Sequence, residues 1–363
     1  MNASSPSDLA WQGIHDGARI YLRRLTALPG ATSSVDQFEL IVATAAQETR
    51  MRLCRADLED GACRVGGAPQ ERISALLARA DAVRGPVCGL GMDRPRIMGV
   101  LNITPDSFSD GGENFDCGTA IAAAMDMREA GADIIDVGGV STRPGSRAPS
   151  EAEELDRVMP VIAALTGDGL IVSVDTRRAA VMAAALDAGA KIINDISALT
   201  ADPDSLDVAA RFAAPVILMH MQGTPKTMQE APVYDHVALD IFDYLEGRIE
   251  ACEAAGIARR RLIIDPGIGF GKTMAHNLQI LRDVGLFHAL GCPLLIGLSR
   301  KYFISRLSAG EAAGARVPGS IAGALHAISQ GVQIVRVHDV RETVQAIKVW
   351  QAIRGDMSGM EST

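Results

Sequence analysis

The sequence predicts an α/β fold, a (β/α)8 TIM barrel preceded by a small N-terminal α/β extension, and three observations carry that expectation. Eight short apolar runs recur from residue 97 to residue 338, each ending in polar residues or glycine. Alanine-rich stretches with helical spacing separate them, such as Thr119 to Ala130, Arg177 to Ala188 and His236 to Ala255. An uninterrupted apolar run bounded by turn residues marks a strand buried on both faces, as a parallel sheet covered by helices requires. An open doubly wound sheet would favour a G-x-G-x-x-G opening its first helix, and none is present.

Residues 1 to 90 stand outside the repeat. Gly17 to Leu28 and Phe38 to Leu53 read as strands or short helices, and Gln70 to Ala82 as an amphipathic helix through Ile73, Leu76, Leu77 and Ala80. Gly85-Pro86 and Gly89-Leu90-Gly91 punctuate the junction, so the boundary is expected near residue 90. Residues 1–90 would then form an accessory domain that shields barrel surface or helps assembly, 91–355 the barrel, and 356–363 a flexible tail. The eight strands read in order RIMGVLN, DIIDVGG, LIVSVDT, KIINDIS, VILMHM, LIIDPG, PLLIGLS and QIVRVHD.

At 363 residues and 48% hydrophobic, the chain is long enough for one large domain and a smaller appendage. No apolar stretch reaches the roughly 18 residues of a membrane span, and MNASSPSDLAW lacks the basic and apolar regions of a signal peptide, so a cytoplasmic setting is expected. A net charge of -9 argues against nucleic-acid binding, and any anionic ligand must find a local cationic site. The six cysteines form no C-x-x-C pair and are read as reduced, mostly apolar packing groups.

A barrel builds its site at the C-terminal ends of its strands, so the polar residues there are expected to converge. Asn102 ends the first run, Lys301 follows Ser299-Arg300 after the seventh, and Arg336 and His338 close the eighth. Directed donors and positive charge in a cleft suit a phosphate or diphosphate. Asp136, Asp175 and Asp265 close runs two, three and six, with Asn194 and Asp195 at run four. Such residues bind a polar heterocycle, hold a metal or move protons, or else cap the next helix. The stretch G-I-G-F-G-K-T at 267–273 is not a Walker loop, because Pro266 stands where the first glycine is needed. Its glycines are expected to let backbone approach a flat ligand closely. Two polar loops, Thr104 to Gly112 and Ser141 to Ser150, have the composition of lids.

Taken together, MGVLNITPDSFSDGG, GADIIDVGGVSTRPGS, SVDT, INDIS, LMHMQGTP, DPGIGFGK, LSRK and RVHD resemble the signatures of the dihydropteroate synthase family of pterin-binding barrels, in that family's order. The resemblance covers residues 94 to about 350. It implies a transferase that condenses 6-hydroxymethyl-7,8-dihydropterin diphosphate with 4-aminobenzoate, by a dissociative displacement, to give 7,8-dihydropteroate and diphosphate for folate biosynthesis. By the same resemblance Asp175, Asn194, Met219, Asp265, Phe270, Gly297 and Lys301 hold the pterin, with Asp175, Asp265 and Lys301 in catalytic roles. Asn102, Arg336 and His338 hold the diphosphate, with Mg2+ on Asn102, and Thr142, Arg143, Pro144 and Lys301 the aminobenzoate. It also implies a homodimer acting on small molecules alone.

Two positions depart from the family pattern. Val140 stands where glutamate is common, which bears on loop anchoring, and Tyr302 follows Lys301 where a small or basic residue is common, which bears on the aminobenzoate pocket and sulfonamide affinity. The rival readings are a pterin-dependent methyltransferase, which needs no Arg336–His338 anion site, and a catalytically silent pterin-barrel subunit, which Asn102, Asp175, Lys301 and Arg336 oppose.

Overall fold

The structure, a computed structural model, describes residues 11, 14–15, 17–25, 36–44, 47–104, 117–141, 147, 149–225 and 227–355. The chain divides into two compact units, Met1–Arg84 with Arg282–Cys292, and Gly85–Leu281 with Pro293–Thr363. Relative to the boundary expected near residue 90, the junction lies a few residues earlier, and a stretch from inside the barrel sequence joins the first unit. The tail expected at 356–363 lies outside the described residues.

In the first unit the regions read as strands or short helices form an antiparallel sheet, β1 (Arg19–Leu25), β2 (Gln37–Ala43) and β3 (Glu48–Cys54), in that order. Helix α2 (Gly67–Asp81) buries the expected stripe of Ile73, Leu76 and Leu77. Helix α1 (Arg55–Val65), which no sequence periodicity predicts, has a thin stripe of Leu58, Gly61 and Ala62 and is capped by Cys54, whose sulfur accepts from the Asp57 amide. Arg23 explains why residues 282–292 belong here. It donates to Glu39 and to Asp283, both at 2.8 Å, and Arg50 reaches the same two carboxylates. The side chains of Arg23, Glu39 and Asp283 are 13% exposed or less, a setting in which charges persist only when paired.

The second unit holds eight parallel strands: β4 (Arg96–Asn102), β5 (Ile134–Gly138), β6 (Val172–Asp175), β7 (Ile192–Asp195), β8 (Val216–Met219), β9 (Leu262–Asp265), β10 (Leu295–Ile296) and β11 (Ile334–Val337). Their order is β10-β11-β4-β5-β6-β7-β8-β9, and a parallel bridge between Ile264 and Leu294 joins the two ends into a barrel. Met98, Ile134, Ile192, Ile217, Ile263, Leu295 and Ile334 fill the floor together with Val87 and Met92. The glycine-rich junction therefore begins the barrel: its Val87–Leu90 bridge turns the chain beneath the strands. No helix of the described residues is long and apolar enough to cross a membrane.

Candidate active site

Side chains two residues apart on a strand point the same way, so the apolar floor fixes which residues face the barrel interior. Two positions beyond the floor residues stand Val100, Asp136, Asn194, Met219, Asp265, Gly297 and Arg336. Two further on, β4 and β11 present Asn102 and His338. On β6, Ser173 lies in register with Asp136, and Asp175 with Gly138. Asp136 therefore sits mid-strand rather than closing β5. A cavity of about 240 Å³ opens here, lined among others by Asn102, Asp175, Asn194, Met219, Asp265, Phe270, Gly297, Lys301, Arg336 and His338. Thr142, Arg143 and Pro144 lie outside the described residues, as does the loop after Thr104, residues 105–116. Asp195 has the opposite parity and behaves as a cap, accepting from the amides of Ser197 at 2.7 Å and Leu199 at 3.0 Å.

Arg336 organises one side of the cavity. Its Nε donates to Asp136 Oδ2 at 2.6 Å and its Nη2 to Asp175 Oδ2 at 2.8 Å, while Nδ2 of Asn194 reaches the same Asp136 oxygen at 2.9 Å. Burial pushes the Asp175 carboxyl well above the usual carboxylate range, and the charge of Asp136 adds to this; Arg336 offsets only part of it. Burial likewise works against the Arg336 charge, but Asp136 and Asp175 outweigh it and hold the guanidinium firmly protonated.

Across the cavity, Asp265 accepts from the Gly267 amide at 2.7 Å, and burial raises its carboxyl although Lys301 pulls the other way. Lys301 donates to the Ile268 carbonyl, and its Nζ lies 4.5 Å from the centre of the Phe270 ring. Desolvation lowers its ammonium to about 7 against the pull of Asp265. Lys301 stands beyond the two-residue β10 rather than on its end, and the turn that carries it includes Arg300 at φ 59°, in the left-handed region. Arg300 is held there by Asp339 and by the Ser320 hydroxyl, which accepts from its amide at 2.9 Å.

The glycines of the 267–273 loop are closely packed against protein groups. At Gly267 (φ 71°) a Cβ would meet the His220 carbonyl at 2.0 Å, and at Gly269 (φ 82°) the Lys301 chain at 2.9 Å. Lys272, 3% exposed, ties the loop down by donating to the carbonyls of Phe270 at 2.9 Å and His220 at 3.2 Å, with His220 Nδ1 at 3.0 Å.

His338 Nδ1 lies 3.1 Å from the Ser299 hydroxyl, which also accepts from the His338 amide. Burial, with the charges of Arg336 and Arg300, pushes its imidazole down to about 4, so at neutral pH it offers a hydrogen bond rather than a charge. Among the described residues no cluster of three or more His, Cys, Asp or Glu has the form of a metal cage. Asn102 is a neutral oxygen donor at the cavity, and that chemistry fits a hard cation that keeps most of its waters and binds through a ligand's phosphates.

Val140 lines this cavity and an adjoining one of about 430 Å³ with Glu154, Thr176, Arg177 and Arg178. There Glu154 accepts from the Thr176 hydroxyl and from Arg178, both at 2.6 Å. Tyr302, 67% exposed, borders an apolar hollow that also touches Phe270, Lys301 and Phe303. The family resemblance assigns no role to Asp136, Lys272 or Ser299. Strand parity places Asp136, one of the strand carboxylates, on the interior face, whereas Lys272 carries no signal short of the folded loop. All six cysteines are free.

Residues 98–338 match the family model described as pterin binding enzyme. The chain is 48% identical over 265 residues to a dihydropteroate synthase of Escherichia coli (strain K12), an alignment that covers 72% of this chain and 93% of the relative. Among solved structures it is similar to a Yersinia pestis dihydropteroate synthase in a sulfonamide drug complex, with TM-score 0.70 and 49% identity over 73% of this chain and 96% of that one. It is also similar to a Xanthomonas albilineans dihydropteroate synthase in complex with 7,8-dihydropteroate, with TM-score 0.67 and 47% identity over 73% and 95%.

Proposed function

The chain belongs to the pterin-binding enzyme family, among relatives that are dihydropteroate synthases, and from that premise we propose that it condenses 6-hydroxymethyl-7,8-dihydropterin diphosphate with 4-aminobenzoate, releasing diphosphate. The observation that carries this reading is one cavity with two chemistries. Asp265 and Lys301 flank Phe270 on one side, and Arg336, His338 and Asn102 supply donors on the other.

Asp265 accepts from the pterin amino group and ring N–H, and Lys301 donates to the ring oxo oxygen. Asn194 and Asp175 meet the remaining polar edge, and Met219 and Gly297 give the flat ring its walls. Arg336 and His338 direct N–H donors at the diphosphate, so Arg336 must share itself between that anion and its two carboxylates. As the diphosphate departs, Asp175 and Asp265 lie beside the positive charge that develops on the methylene group. The aromatic amine then attacks, assisted by Thr142, Arg143, Pro144 and Lys301. Asn102 would hold a Mg2+ ion, which would supply charge neutralisation for the leaving diphosphate.

Catalysis is assigned to the barrel and none of it to the N-terminal unit. The reading carries with it a homodimer in the cytoplasm; sedimentation of the purified chain tests the first. A coupled assay for diphosphate release with both purified substrates tests the activity. Release that requires 4-aminobenzoate supports it. Binding of the pterin diphosphate without release would leave only a silent subunit.

A further inference from the structure

Asp136 is fully buried in β5 and has no substrate contact in the reading above. Its Oδ2 nevertheless receives two donors, Asn194 Nδ2 at 2.9 Å and Arg336 Nε at 2.6 Å. An oxygen on which two N–H groups converge is an acceptor, and an amide beside it is drawn in by its amino end. The Asn194 carbonyl is then the atom left for the cavity that Asn194 lines. Among the described residues, the register partner of Asp136 on β6 is Ser173, whose buried hydroxyl has no hydrogen-bond partner, and Oδ1 of Asp136 is likewise unpartnered, so the contacts of this carboxylate run through Oδ2.

We propose, resting on the assignment of a pterin to this cavity, that Asp136 is a positioning residue that sets ring specificity by holding the Asn194 amide with its carbonyl toward the ring as a fixed acceptor. A pterin amino group has two N–H bonds. One lies beside the ring N–H and goes to Asp265; the other is the partner of the Asn194 carbonyl. A ring with oxygen at that position turns two acceptors toward each other and is rejected, the asymmetry expected where a buried polar group is left without its partner. The same anchoring sets Arg336, so a single oxygen fixes the geometry of both halves of the site.

The test is calorimetric titration of the wild-type chain, Asp136→Asn and Asp136→Ala with 6-hydroxymethylpterin and its 2,4-dioxo counterpart, with thermal melts as the check on folding. The wild type should prefer the amino ring by about tenfold or more, a gap of about 1.4 kcal/mol. Asp136→Asn keeps an acceptor oxygen and should keep the preference. Asp136→Ala frees the amide to turn, and the ratio should fall to about threefold or less. A full wild-type ratio in Asp136→Ala overturns the proposal. Should that variant not fold, Asp136→Leu, which fills the volume and lacks an acceptor, takes its place. In the wild type itself, one Asn194 side-chain amide proton should exchange slowly with solvent; rapid exchange of both also overturns it. Binding of neither ring by the wild type would count against the pterin assignment, not against Asp136.

Discussion

Arg336 donates from Nη2 to Oδ2 of Asp175 at 2.8 Å, so the arginine assigned to the anion and the carboxylate assigned to the ring share one hydrogen bond. The two halves of the cavity are thereby coupled. Replacing Arg336 removes the cation that partly offsets the burial of Asp175 and leaves Asp136 beside it.

Arg336→Ala should therefore weaken pterin diphosphate binding far more than binding of the free pterin; equal losses would remove it from the anion site. It should also change the pH dependence of stability. The Asp175 carboxyl in the fold sits above its ordinary value of 3.8, so its contribution is fully present below that pH and is lost as pH rises through the folded value. Without Arg336 that value climbs further. Denaturant melts at about pH 5 and about pH 8 should then show a stability deficit against wild type that is larger at the higher pH. A deficit that does not change with pH would separate Arg336 from Asp175 in energetic terms.

Lys301→Ala should abolish turnover with the fold intact, and a near-normal rate would take Lys301 out of the mechanism. Desolvation has lowered its ammonium to about 7. The charged form is the stronger donor to the ring oxo group, so kcat/KM should fall as pH rises through about 7. Lys301→Arg does not deprotonate in this range, and whatever activity it keeps should lack that limb. A limb that persists in the arginine variant belongs to another group.

How much of this was legible in the sequence follows from strand parity. Ile192 and Ile263 are floor residues, and Asn194 and Asp265 two positions later face the cavity. The adjacent pair Asn194-Asp195 looks alike in composition, yet one lines the site and the other caps a loop. Motif spacing carried the barrel because each strand and its polar end are local in sequence. The pairing of Arg23 with Asp283 spans 260 positions and leaves no local pattern, so nothing in the sequence spacing separates residues 282–292 from the barrel. The packing at Gly267 is non-local too: the space beside it is filled by the His220 carbonyl from another loop.

Lys272 makes that loop a test of buried polar pairing. Its ammonium is held well below the ordinary lysine value by burial, and it donates to two carbonyls, of Phe270 and His220. Lys272→Met keeps most of the side-chain volume but leaves both carbonyls without this donor. The expected loss is about 2–4 kcal/mol of unfolding free energy, with weaker pterin binding as Phe270 loses its anchor. An unchanged denaturation midpoint would show that Lys272 is replaceable by packing alone.

His338 separates hydrogen bonding from charge at the proposed anion site. Burial is the main cause that depresses its imidazole to about 4, followed by the charges of Arg336 and Arg300. A folded value below the ordinary 6.5 contributes stability above that pH, and the contribution is lost as pH falls toward 4. A bound diphosphate reverses the local field. Its negative charge stabilises the imidazolium, raises the value toward neutrality and draws a proton from solvent. Titration of the pterin diphosphate in buffers of different ionisation enthalpy should therefore reveal proton uptake that grows from about pH 7.5 to about pH 6. His338→Gln keeps a side-chain donor near Ser299, so it should retain much of the affinity while this part of the uptake disappears. The same uptake in wild type and His338→Gln would move the proton to another group and leave His338 as a neutral contact alone.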